Sequence, residues 1–177
     1  LKVAILEASE ILNGTTGHTT AKVTAQHGLI YDELIQHMGE ENAKLYYQAN
    51  IDALEFVRQT TNELKIDCDL TEEDAYIYAI SDHYEKKINK ELEAYQRLGI
   101  HSEYVNSIPF PIDIKGSIVM KSQGQYHPLK FLNVLVDEIV KSGGEIYEQT
   151  TAIDIDETTP KPTIITREGR RVACKYA

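Results

Sequence analysis

Glu7 stands at the end of a short apolar run, residues 2–6. It is followed by a stretch crowded with small and hydroxylated side chains: Asn13, Gly14, Thr15, Thr16, Gly17, His18, Thr19 and Thr20. In a dinucleotide-binding α/β fold, an acid at the end of a strand accepts hydrogen bonds from a ribose, whose diol offers two neighbouring donors. The loop behind it supplies backbone N–H groups and hydroxyls, with glycines where a side chain would keep a ligand out. An exposed charge closing a strand is the plain alternative for Glu7, and the Thr/Gly loop tips the balance toward ribose. For Thr16, Thr19 and Thr20 the plain alternative is helix capping. Capping is compatible with cofactor binding, because a helix N-terminus attracts the anionic part of a dinucleotide. The Gly-rich fingerprint belongs about 20 residues before such an acid, and only six residues precede Glu7.

Little else in the chain carries chemistry of its own. His18, His27 and His127 lie near loops, where an imidazole titrates or ligates. No His-x-His or Cys-x-His spacing supports a metal, and His27 reads as a surface residue. Cys68 and Cys174 are too far apart in sequence for a zinc pattern or a disulfide scaffold, so a reducing cytoplasm is the expected setting. There is no G-x-S-x-G elbow, and Glu72, Glu73 and Asp74 read as a solvated acidic turn. No catalytic residue is assigned. The balance of 18 basic and 28 acidic residues leaves −10 with no basic cluster, which argues against a nucleic-acid partner. No apolar run approaches the roughly 18 residues that cross a membrane.

The elements that must position Glu7 and its loop follow from periodicity. Residues 2–6 read as a buried strand. Apolar spacing predicts a helix from Leu29 to His37, stopped by Gly39, and a long amphipathic helix from Glu40 to Leu64. Cys68 to Ser81 alternates like a strand, and a helix over 82–98 is capped by Ser81 or Asp82 and closed by Gly99. A strand over 103–107, a break at Pro109–Pro111 and an alternating stretch over 112–121 come next. Pro128 opens a helix that Gly143 and Gly144 close. Strands are expected at 145–149, 152–156, 162–167 and 171–176, the last two joined by a turn at Glu168 and Gly169. A strand–helix–strand unit at 118–150 is expected to feed a parallel sheet, with residues 2–6 central and helix 128–142 packed on it.

Three motifs resemble the FAD-dependent oxidoreductases of the D-amino-acid oxidase and glycine oxidase type: VAILEA at Val3–Ala8 with GTTGHTTAK at Gly14–Lys22; GQYHP at Gly124–Pro128 before a helix; and GGEIYEQTTAIDI at Gly143–Ile155. The resemblance covers nearly the whole chain in the right order. It implies an α/β fold, an FAD/NAD(P)-binding Rossmann-like fragment with an inserted α+β substrate lobe. Residues 1–64 and 122–177 would be parts of the cofactor domain and 65–121 the inserted lobe. It further implies contacts to FAD from Glu7, Ala8, Thr16, Gly17, His18, Thr19, Thr20, Ala21 and Ala152. Ala152 occupies the small apolar position where the backbone meets the adenine ring, although a simple strand residue reads the same way.

Against that family, the chain lacks the first strand with its Gly-rich turn and stops before the closing segment. It therefore reads as a piece of a larger flavoprotein, inactive and colourless by itself, with an open sheet edge that invites self-association. The expected reaction of the parent is oxidation of a C–N bond in a small amine or amino acid, with the flavin as hydride acceptor. The competing reading is a folded scaffold or interaction module without a cofactor. The run from Thr15 to Gly28 is similar to a subgroup with a C-terminal Rieske [2Fe–2S] domain, whose Cys and His ligands would lie beyond Ala177.

Overall fold

The computed structural model describes residues 2–177. In chain order the elements are β1 (Ala4–Leu6), a 3-10 turn (Thr15–His18), β2 (Lys22–Val23), α1 (Tyr31–Leu64), β3 (Thr71–Ala79), α2 (Asp82–Leu98), β4 (Ser102–Val105), β5 (Gly116–Gln125), α3 (Pro128–Lys141), β6 (Glu145–Tyr147), β7 (Ala152–Asp156), β8 (Thr163–Thr166) and β9 (Arg171–Ala173). They fall into two compact units: the residues up to Thr19 with Pro128–Ala177, and Thr20–His127. These divide at 19/20 and 127/128, whereas the sequence places its functional boundaries at 64/65 and 121/122. The difference arises because α1 packs on α2 and so goes with the middle of the chain.

In the first unit β1 runs parallel to β6, with Ala4 opposite Glu145 and Leu6 opposite Tyr147. Helix α3 packs on β6. Gly143 (φ 84°) turns the chain back, and a Cβ on Gly144 would lie 2.9 Å from the Ile139 carbonyl oxygen. Among the described residues β1 has β6 as its one strand partner, so its other side is open, the edge expected for this chain. The same unit holds the antiparallel sheet β7–β8–β9, closed by Gly169 (φ 76°) in the expected turn.

The second unit is built on β5, which pairs antiparallel with β3 along one edge and with β2 and β4 along the other. This corrects the expected 118–150 unit. The parallel neighbour of β6 is β1, while β5 is the middle of an antiparallel sheet. Residues 117–120 of β5 are buried, in a strand with neighbours on both edges. The expected acidic turn at Glu72–Asp74 is strand as well, belonging to β3 and its irregular pairing between Glu73 and Ala75.

Helices α1 and α2 cover one face of this sheet. From α2, Ile88, Ala94, Tyr95 and Leu98 join Ile118 and Met120 in the core, with Ile35 and Ala43 from α1. Gly39 (φ 81°, ψ 165°) breaks α1 where the sequence predicts a stop. Gly99 ends α2 in the left-handed conformation, its N–H and that of Ile100 returning to the last turn. Ser81 precedes α2 as expected but makes no side-chain cap.

The start of α1 is satisfied from elsewhere. Residues Ile30, Tyr31 and Asp32 expose the N–H groups that every helix start leaves without partners. Glu91 of α2, 1% exposed, receives all three: Oε1 accepts from Ile30 (3.0 Å) and Tyr31 (2.8 Å), and Oε2 accepts from Asp32 (3.0 Å). Burial lifts this carboxyl above its ordinary 4.5, against the pull of the three amides. Beside it the buried Tyr31 donates its hydroxyl to the Ala25 carbonyl (2.6 Å) and meets Tyr46, Tyr47 and Tyr95 edge-on.

Candidate cofactor and substrate sites

In the first unit the backbone at the end of β1 is pinned on both sides. The Glu7 N–H donates to the Tyr147 carbonyl (2.9 Å), and the Glu7 carbonyl accepts from Thr150 (2.8 Å). Ser9 continues the pattern by accepting from Gln149 (2.9 Å). The half-buried Glu7 side chain takes one local hydrogen bond, Oε1 from the Ser9 N–H at 2.8 Å. Oε2 accepts nothing from the described residues, so the strand-end carboxylate is oriented yet keeps acceptor capacity. Ala8 beside it is exposed. Ala152 begins β7 two residues after Thr150, exposed and opposite Thr166. Glu7 is thus tied to Thr150, two residues before Ala152.

The loop residues take a tighter form than sequence alone suggests. Gly14 (φ 130°, ψ −140°) occupies a region essentially reserved for glycine. The His18 ring closes the 3-10 turn, its Nδ1 2.7 Å from the Gly14 carbonyl oxygen. Because that oxygen only accepts, Nδ1 carries the proton and Nε2 is left outward. Gly17 lies against the first turn of α3, where a Cβ would come within 3.2 Å of Leu129 Cδ1. Thr16 is half-buried, and Gly17, His18 and Thr19 are exposed. Thr20 and Ala21 fall in the second unit; Ala21 has φ 62°, and its carbonyl accepts from Tyr126 (3.0 Å). The chain runs from Thr20 into β2, and the next helix is capped by Glu91.

The second unit carries a cleft that the sequence does not announce. At the far end of the sheet, a Cβ on Gly124 would lie 3.8 Å from Leu54 of α1, so Gly124, Val23 and Glu72 face the helices. Their neighbours Lys22, Gln125 and Glu73 therefore face the opposite way. Over that open face lie two overlapping clefts of about 530 and 600 Å³, sharing Lys22, Asp74, Ala75 and Phe110. These volumes fall within the range of small-molecule sites. Asp74 pairs with Lys121 at 2.8 Å, which also reaches Glu103 at 3.5 Å. Tyr76 adds an aromatic wall. The available sequence signal was the Tyr/Ile alternation of 75–80, which marks a strand with two distinct faces.

The His127 N–H donates to the Cys68 carbonyl (2.7 Å). His27 bonds Asn50 (3.0 Å) and meets Tyr46 edge-on, a surface arrangement. Cys68 is buried beside Thr61, and Cys174 is not near it in sequence or element. Among the described residues no group of three His, Cys, Asp or Glu side chains is placed to hold a metal ion. No helix among them is long and apolar enough to cross a membrane.

Residues 1–176 match the family described as DAO, FAD dependent oxidoreductase. The chain is 43% identical over 175 residues to a protein of Bacillus subtilis (strain 168) that carries the name Rieske 2Fe-2S iron-sulfur protein YhfW. That alignment takes in 99% of this chain and 34% of the relative. It is 25% identical over 185 residues to gamma-glutamylputrescine oxidoreductase of Escherichia coli (strain K12), over 98% of this chain and 42% of that protein. Its fold matches the crystal structure of glycine oxidase from Geobacillus kaustophilus with a TM-score of 0.75 at 16% identity, over 98% of this chain and 47% of that one. The chain thus spans less than half the length of each of these proteins. With a strand-end acid, a Gly/Thr turn behind it and a match across nearly every residue, the chain belongs to the family of FAD-dependent oxidoreductases.

Proposed function

We propose that the protein oxidises a C–N bond of a small amine or amino acid, and that this chain provides part of its FAD site. The observation that carries this reading is Glu7, a carboxylate fixed at a strand end with one oxygen still free to accept. Glu7 binds the ribose hydroxyls, and Ala8 and Ala152 leave room beside it because neither carries a bulky side chain. Thr16, Gly17, His18, Thr19, Thr20 and Ala21 line the cofactor, with small or hydroxylated groups that allow close approach. FAD, when bound, takes up the hydride from the carbon next to nitrogen. The residues of this chain bind and orient; none is assigned to proton transfer.

In this reading residues 1–64 and 122–177 serve the cofactor and 65–121 the substrate, a functional division that cuts across the two compact units. The name of the B. subtilis relative supports a further proposal, that electrons pass on to a [2Fe–2S] cluster held outside residues 2–177. The test is an absorbance spectrum of the protein at its natural length, followed by anaerobic addition of amines and amino acids. Flavin bands that bleach with substrate support the proposal. A colourless protein that gains no flavin from added FAD refutes it and favours a scaffold without cofactor.

A further inference from the structure

We propose that Gln123 is a positioning residue for the cofactor: through Thr24 and Ala25 it fixes the register in which Thr20 and Ala21 meet FAD, without touching FAD itself. This rests on the FAD-site reading above and extends it to a residue outside the loop.

The device starts from an irregularity in β5. Between the pairs Glu73–Gln123 and Ala75–Met120, two residues of β5, Lys121 and Ser122, stand opposite one residue of β3, Asp74. Such a bulge interrupts regular pairing and re-aims the side chains beside it. Ser122 takes a left-handed φ of 55° here, and Arg58 of α1 donates to the Ser122 and Gln123 carbonyls. On the other edge of β5, β2 pairs with Gly124 and Gln125, and β4 pairs with Ser117 to Met120. Residues 121–123 thus have no strand partner on that edge among the described residues.

The Gln123 amide, 3% exposed, takes the place of the missing ladder. Its Oε1 accepts from the Thr24 hydroxyl (2.9 Å) and from the Ala25 N–H (2.8 Å). Its Nε2 donates to the Lys121 carbonyl (2.9 Å), which fixes the orientation of the amide. Thr24 Oγ1 in turn accepts from the Gln26 N–H (2.9 Å), and the Ala25 carbonyl accepts from the Tyr31 hydroxyl. Thr24, Ala25 and Gln26 are all buried, so water does not stand in for these bonds.

Register is what this arrangement controls. Two ladder pairs join β2 to β5, with one further bond from the Tyr126 N–H to the Ala21 carbonyl. A slip of one residue would exchange the faces of Lys22 and Val23 and carry Thr20 and Ala21 about 3.3 Å along the sheet. Contacts to a bound ligand fail well before such a shift, since a hydrogen bond weakens beyond about 3.2 Å. The Gln123 amide pins the segment at Thr24 and Ala25, three to five residues after Thr20 and Ala21, and so forbids the slip.

The experiment removes FAD from the protein at its natural length and titrates it back. The variants are Gln123→Leu, Thr24→Val, the two together, and Ile88→Val, which opens a small cavity in the buried core away from the segment. Gln123→Leu is expected to raise the FAD Kd at least about tenfold and to move the flavin absorbance maxima, which a loss of stability alone does not. Thr24→Val raises Kd by a smaller factor, and the double variant binds no worse than Gln123→Leu, as expected when both act through one contact. Ile88→Val leaves Kd and maxima as in wild type. If Gln123→Leu does not fold, Thr24→Val decides by the same two readouts. A Kd within about twofold of wild type, unmoved maxima, an equal rise in Ile88→Val, or simple additivity of the two changes overturns this inference alone. A wild-type protein that binds no FAD overturns the FAD-site reading, and this inference with it.

Discussion

Replacing Glu91 by alanine removes the acceptor for three backbone N–H groups at the start of α1. Each buried donor left without a partner costs about 1–3 kcal/mol. The Tyr31 N–H is buried and bears the full penalty, while Ile30 and Asp32 are half-buried and regain part of theirs from water. Against this, the burial cost of the carboxylate itself is recovered. The net loss should therefore fall near 3–5 kcal/mol, as when one partner of a buried charged contact is removed. Glu91→Gln keeps the shape and one acceptor oxygen, but turns an NH₂ toward one set of amide donors, and should lose about 1–2 kcal/mol. Urea unfolding of the chain measures both, and hydrogen exchange at residues 30–34 localises the effect to the first turn. Because burial raises the Glu91 pKa in the folded state, the proton is bound more tightly there than in the unfolded chain. The contribution from this group is complete below pH 4.5 and declines as pH rises through the folded-state value. The advantage of wild type over Glu91→Gln should then shrink with rising pH. An alanine variant within about 0.5 kcal/mol of wild type, a surface-like effect, refutes the capping role.

Glu7→Ala should weaken FAD binding by about 1.5–3 kcal/mol for each charge-assisted bond lost, with folding nearly unchanged. Titration of the apoprotein at its natural length reads this, and unaltered affinity removes Glu7 from the site. Gly144→Ala forces a Cβ to within 2.9 Å of the Ile139 carbonyl oxygen and should cost about 1–3 kcal/mol; an unshifted melting temperature counts against that close approach. Arg58 donates to the Ser122 and Gln123 carbonyls from α1 (2.7 and 3.3 Å). Arg58→Ala should cost about 1–2 kcal/mol and speed hydrogen exchange at residues 121–124 before elsewhere in β5, and uniform exchange would contradict a local role.

Helix α2 was legible in the sequence to the residue, because Ser81 and Gly99 bracket an amphipathic stripe and both signals are local. The break in α1 was equally plain, since Gly39 falls between two apolar patterns. The acid and the loop of the candidate cofactor site could also be picked out, because residue type alone marks them. What sequence missed depends on pairing over long separations. Apolar residues in β5 suit a parallel or an antiparallel neighbour, and only the ladder with β3 decides between them. Glu72–Asp74 looks like a turn until that ladder extends it. Glu91 sits in a polar helix where nothing nearby reveals that its partner is the start of another helix.

The Glu91 cap has a consequence for the order in which the molecule assembles. The helix that it closes begins at Tyr31, and the acid lies 60 residues further along the chain. At a synthesis rate of about 5–20 residues per second, Tyr31 leaves the ribosome roughly 3–12 s before Glu91 does. A helical turn nucleates in well under a millisecond, so the first turn of α1 has ample time to form and fray repeatedly. It becomes lasting only when α2 arrives and closes against it. Docking of the two helices and completion of α1 are therefore one event, and a nascent chain halted before residue 91 carries an α1 whose beginning is still open.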